Sequence, residues 1–92
     1  MRFDWDHSNL GKIKAHRVEV AEVEQALLND PLLIYDQDAA GEIRYVYYGE
    51  TDRSRLLAIV LTERSQKIRV ITAYDLDAGQ KRDYLERRIQ EE

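Results

Sequence analysis

The feature that most constrains the fold lies between residues 32 and 74, where four strand-like runs follow one another with only short connections. Residues 32–36 form the first run and end in a loop over residues 37–41. In the second, Ile43, Tyr45 and Tyr47 alternate with Arg44, Val46 and Tyr48, the period-two pattern of a strand with two unlike faces. Residues 49–54 read as a polar turn. The third run, residues 55–62, is the most apolar, as suits a strand inside a sheet. A loop over residues 63–66 leads to the fourth, residues 67–74, where Ile68, Val70 and Thr72 alternate with Arg69, Ile71 and Ala73. A parallel crossover needs a dozen or more residues, so these connections imply antiparallel hairpins. The middle of the chain is therefore expected to be a four-stranded antiparallel meander.

Helical patterns flank it. Asp6 is placed to cap a first helix running to about residue 16, since its carboxylate can accept the early amide donors. Leu10 and Ile13 give that helix an apolar stripe, with Trp5 beside it. In residues 19–28, Val20, Val23, Ala26 and Leu27 recur at three- and four-residue spacing, which predicts a second helix. Asn29-Asp30-Pro31 ends it, because a proline disfavours helical geometry in the residue before it. A third helix is expected over residues 78–90, opened by Asp77 and Gln80 at capping-box spacing. Tyr84, Leu85 and Ile89 would form its stripe on one sheet face, and Asp83 and Arg87 can pair one turn apart. The expected fold class is α+β: N-terminal helices, the meander, then a C-terminal helix.

At 92 residues, of which 43% are apolar, the chain fits one domain, residues 1–92, with one core. The absence of cysteine leaves no disulfide, thiolate nucleophile or thiolate metal ligand and fits a reducing cytoplasm. The first nine residues hold Asp4 and Asp6 and no apolar core of a secretion signal. No window approaches a membrane span, so a soluble, cytoplasmic protein is expected. The net charge of −4 argues against a protein that holds nucleic acid by bulk charge. The charge is unevenly spread, however: +2 over residues 1–17, −7 over 18–42, +3 over 43–74 and −2 over 75–92. An anion-binding face can survive on the first helix and the strands. The acidic second segment would suit a basic partner, although solvated helix surface is the commoner reason for such a run.

Two sets of residues could carry chemistry. Asn9, Lys12 and His16 fall within about 60° of arc on the first helix, bordering its apolar stripe. A lysine near a histidine puts a fixed positive charge beside a group that exchanges protons near neutral pH. The plainer reading is a histidine that complements the negative end of its helix. The second set is Arg44, Arg55, Arg64 and Arg69 on the meander, whose planar forks suit phosphate. Its plainer reading is a solvated sheet face in which cations discourage edge pairing. No metal-ligand spacing, glycine-rich phosphate loop or nucleophile elbow appears in the sequence. The tyrosines at 45, 47 and 48 could stack on bases if exposed, and pack as core if not.

Taken in order, Trp5-Asp6, Asn9, Lys12-Ile13, His16 and Val18 form a pattern that resembles the N-terminal signature of the BrnT-type toxins. The resemblance continues through Val23-Glu24, Ala26, Pro31, Arg44, Gly49, Arg55-Leu56-Leu57, Thr62, Arg64, Arg69, Ile71-Thr72-Ala73 and Tyr84, covering nearly the whole chain. It implies a RelE-like architecture and a metal-independent endoribonuclease that needs no cofactor. It also implies a BrnA-like ribbon-helix-helix antitoxin as partner, a toxin–antitoxin heterotetramer, and contact with operator DNA only through the antitoxin. RNA would be the substrate. Carried onto matching positions, the resemblance makes His16, Lys12, Arg64 and Arg69 the catalytic candidates, with Arg44 as a substrate-binding candidate; Asn9 joins it as one from its place on the helix stripe. Typical members have arginine where this chain has Tyr74, so a phenol there would orient the phosphate or act as an acid. Gln80-Lys81 stands where Glu-Arg is usual, and the pI near 5.2 is low for a protein that cleaves RNA. A second reading is thus a catalytically weakened member that serves as partner and corepressor of a DNA-binding antitoxin. A third is an unrelated small RNA-binding domain using its strand tyrosines.

Overall fold

The computed structural model describes residues 2–91. Two helices, α1 (His7–Ala15) and α2 (Val20–Leu28), precede four strands: β1 (Leu32–Ala39), β2 (Glu42–Glu50), β3 (Leu56–Arg64) and β4 (Lys67–Asp75). A closing helix, α3, spans Ala78–Glu91. The strands form one antiparallel sheet in the order β1-β2-β3-β4, the meander that the short connections require.

The strands run further than their apolar patterns suggest, because two of the hairpins close in two residues. Ala40 and Gly41 have φ of 55° and 80°, and Ser65 and Gln66 have φ of 51° and 65°. Two successive left-handed residues make the turn that matches the natural twist of paired strands. The expected loops at residues 37–41 and 63–66 therefore shrink to their central pairs. Gln37 and Asp38 pair with Arg44 and Ile43, and Arg64 pairs with Lys67.

Each sheet face has its own core. On one, Ile13 of α1 and Val23, Ala26 and Leu27 of α2 pack on Leu57, Ile59, Leu61, Val70 and Ala73. Val60 pairs with Thr72 but Leu61 pairs with Val70, so Ile71 is an extra residue in β4. This bulge is why Val70 and Ala73, three apart, reach the same face. Close approach of α2 depends on Gly49: a Cβ there would stand 2.7 Å from the Ala26 carbonyl oxygen.

On the opposite face, Tyr84 of α3 packs with Val46, Tyr48, Ala58 and Leu76. The expected stripe of α3 is narrower than its sequence pattern. Tyr84 is buried, but Leu85 is 56% and Ile89 72% exposed. The helix is secured instead by Arg88, whose guanidinium lies over the Tyr84 ring at 5.1 Å and donates to the Asp30 carbonyl. The Asp77–Gln80 capping pair and the Asp83–Arg87 ion pair both form. Among the described residues, no helix is long and apolar enough to cross a membrane.

Candidate nucleic-acid interface

Alternation along the strands puts Arg44 on the face of Val46 and Tyr48, and Arg69 opposite Thr62 on that same face. These residues lie toward the two tight hairpins, away from the row of Tyr48 and Ala58 on which α3 packs. Helix α3 therefore covers one half of the face, and the arginines occupy the other.

Each arginine meets a carboxylate there. Counting on from Tyr45 opposite Leu61 brings Glu42 opposite Arg64. Glu42 accepts both arms of the Arg64 fork, at 2.7 Å from Nε and 3.1 Å from Nη2. Its Oε1 is also 4.0 Å from Arg44 Nε, which is buried and has no hydrogen-bond partner among the described residues. Arg69, with a side chain only 12% exposed, points to the N-terminal segment, 2.9 Å from Asp6 and 3.5 Å from Asp4. The bond from Arg64 holds the Glu42 carboxyl below its ordinary range, and that from Arg69 does the same for Asp6.

Asp6 has a second task. It caps α1, accepting from the amides of Ser8 and Asn9, while Asn9 Oδ1 accepts from the Asp6 amide. Asn9 is not on the cleft. It is 2% exposed, and its amide nitrogen donates to the carbonyls of Asp4 at 2.8 Å and Val70 at 2.9 Å. With both amide hydrogens and the oxygen engaged, Asn9 braces α1 against β4 and has no group left for substrate. The expectation that it binds substrate is corrected accordingly: the stripe arithmetic placed it about 60° from Lys12, but it lies closer, about 40°, to Ile13, the residue that points inward.

Lys12 and His16 are both exposed on α1. The His16 ring meets the Tyr74 ring, centroids 5.7 Å apart and tilted by 50°. Helix α1 runs beside β4, with Asp6 at the Arg69 end and His16 at the Tyr74 end. Ten helical residues separate those ends by about 15 Å. The structure thus brings Arg44, Arg64 and Arg69 together, and His16 with Tyr74, as two groups along one border.

Arg55 is a structural residue. It donates to Asp75 at 2.7 and 3.0 Å, to Glu22 at 3.0 and 3.1 Å and to the Arg17 carbonyl at 3.0 Å, tying β3 to β4, to α2 and to the loop after α1. Tyr48 is buried, and Tyr45 and Tyr47 pack partly buried against the α2 core. Glu42 was not foreseen as part of the cluster. A two-residue reading of both turns would have kept Glu42 and Arg64 within strands, but their opposition is set by the β2–β3 pairing across the connection at residues 51–55. Among the described residues, no three of His, Asp and Glu are grouped to hold a metal ion.

The chain is thus a small α+β domain whose sheet carries an arginine-lined half-face, with lysine and histidine on the helix beside it. The family model described as the ribonuclease toxin BrnT of type II toxin–antitoxin systems matches residues 5–79, and the chain belongs to that family. The match takes in every residue of both groups and stops at the start of α3. No curated protein matches the sequence.

Proposed function

We propose that this chain is a metal-independent endoribonuclease that cleaves single-stranded mRNA in the cytoplasm by attack of a ribose 2′-OH on the adjacent phosphate. The observation that supports it most is the half-face of Arg44, Arg64 and the nearly buried Arg69 beside a helix that carries exposed Lys12 and His16. The attack forms the 2′-O–P bond and breaks the P–O5′ bond, leaving a 2′,3′-cyclic phosphate and a 5′-hydroxyl. His16 takes the 2′-OH proton or supplies one to the leaving oxygen, with Tyr74 against its ring as the second group at that phosphate. Lys12 offsets the charge that builds on phosphorus, where fixed donors often contribute most. The spacing of about 15 Å gives Arg64, Arg69 and Arg44 the flanking backbone, and they draw it into register with His16.

Partnership follows the same reading. A BrnA-like ribbon-helix-helix antitoxin covers the face, forms a heterotetramer with the toxin, and provides the contact with operator DNA. A second reading has a specific observation behind it: Arg64 and Arg69 already hold carboxylates, and a phenol stands at position 74. That favours a weakened member acting as corepressor.

Induction of the chain in bacteria, with mRNA decay followed in parallel, separates the two. Arrest with mRNA loss in the parent, relieved by His16→Ala and by Arg69→Ala, is the outcome expected of the ribonuclease. Normal growth with stable mRNA from well-expressed soluble protein would sink it in favour of the corepressor. Toxicity undiminished in both variants would show the residue assignment to be wrong.

A further inference from the structure

The carboxylate at the centre of the arginine cluster satisfies one arginine and leaves another short. Glu42 has two oxygens, and the fork of Arg64 takes both at hydrogen-bond distance. Arg44 Nε, turned to the same carboxylate, is left at 4.0 Å, too far to bond, and is otherwise unpartnered among the described residues although buried. A buried donor without an acceptor is costly, and native structures rarely leave one without a reason. A phosphate diester is larger than a carboxylate, and its oxygens do not lie in one plane. One such group can accept from Arg64 and from Arg44 Nε together.

We infer that Arg44 and Arg64 form a subsite for a backbone phosphate of RNA, and that Glu42 occupies it as a built-in competitor, so that RNA binds by displacing it. This rests on the proposal that the face binds RNA. Both hairpins that carry these residues are fixed by two-residue turns, so the exchange needs only side-chain rotation. Glu42 has room to swing away, being on the rim and 26% exposed in its side chain. The competitor lowers affinity for any polyanion. It lowers it most for ligands that cannot reach the other cations as well, which makes Glu42 a selectivity residue for strands long enough to reach Lys12 and His16 at the same time.

The test uses the whole chain and a fluorescent, uncleavable single-stranded 2′-O-methyl oligonucleotide of about ten residues, with Kd followed by anisotropy across a salt series. Glu42→Gln keeps the shape and removes the charge, and it is expected to bind about five- to tenfold tighter. Its salt dependence should steepen by about 0.7 in log–log slope, the amount for one added phosphate contact on a single strand. Adding Arg44→Ala to that variant should cancel the gain. Glu42→Thr, with thermal melting as the folding control, repeats the test without the amide. Equal Kd for parent, Glu42→Gln and Glu42→Thr overturns the inference; if Arg64→Ala and Arg69→Ala still weaken binding, the RNA-binding reading survives it. No binding by parent and variants alike overturns both.

Discussion

Asp6 caps α1 and, from the same carboxylate, holds Arg69 of β4 at 2.9 Å. One side chain therefore sets where a helix begins and where a candidate phosphate-binding group on the sheet points. Its two tasks can be separated. Asparagine caps a helix as well as aspartate does but carries no charge for Arg69. Asp6→Asn should melt close to the parent while releasing Arg69 to bind RNA more tightly, whereas Asp6→Ala should lower the denaturant midpoint as well. If Asp6→Asn proves as unstable as Asp6→Ala, the cap is not the main structural role of this residue.

Asn9 should behave as a core residue. Asn9→Ala removes donors from the buried carbonyls on which α1 is hung, a loss of about 2–3 kcal/mol in unfolding free energy. His16→Ala, at an exposed position one turn past Lys12, should leave the urea midpoint unchanged and remove roughly 10²–10⁴ in cleavage rate. Stable Asn9→Ala protein with lost activity would instead place Asn9 at the substrate.

Gly49→Ala is the smallest substitution expected to do large damage. Its methyl would press on the Ala26 carbonyl oxygen at 2.7 Å, and backbone on both sides leaves little room to yield. Overpacking of this kind costs about 1–3 kcal/mol. Calorimetry decides it: a melting temperature equal to the parent's would mean that α2 can lift from β2 at no cost.

Acid should loosen the ties around Arg55. Its hydrogen bond holds the Asp75 carboxyl below the usual 3.8. A carboxylate whose folded pKa lies under its unfolded one contributes stability that is complete above the unfolded value and lost as pH falls through the folded one. Unfolding free energy should thus be flat from neutral pH to about 5 and decline below 4. In Asp75→Asn that decline should be shallower, though not absent, because Glu42 and Asp6 have the same sign of shift. An identical acid profile for parent and Asp75→Asn would contradict the assignment.

Much of this was legible before any coordinates, and the exceptions share a cause. The meander followed from connection length, and the separate alternations of β2 and β4 were legible, but that Arg44 and Arg69 share a face follows only from the strand register. Strand ends were misjudged because Ala40, Ser65 and Gln66 adopt left-handed geometry that sequence reading reserves for glycine and asparagine. The register that opposes Glu42 to Arg64 went unread because it depends on how β2 and β3 align across the connection at residues 51–55, which no local pattern gives. Leu85 and Ile89 looked like core because their helical spacing is right, yet spacing does not say how wide a line of contact the sheet offers. Asn9 shows the reverse: a polar residue hidden by the tertiary acceptors of β4, which no local pattern announces. Arg55 matched the family pattern as well as Arg64 did, and only its cage of Glu22 and Asp75 separates scaffold from site.

The brace of Asn9 on Val70, tightened by Asp6 on Arg69, also fixes a length. The histidine and the arginines ride on elements bolted together at one end, so the backbone spacing beneath them is set when the chain folds. A molecule that touches both must bring its own phosphates to that gauge. A pliant strand can do so freely and a paired, stiff one only by bending, which would let this protein sort RNA by mechanical compliance before it reads a single base.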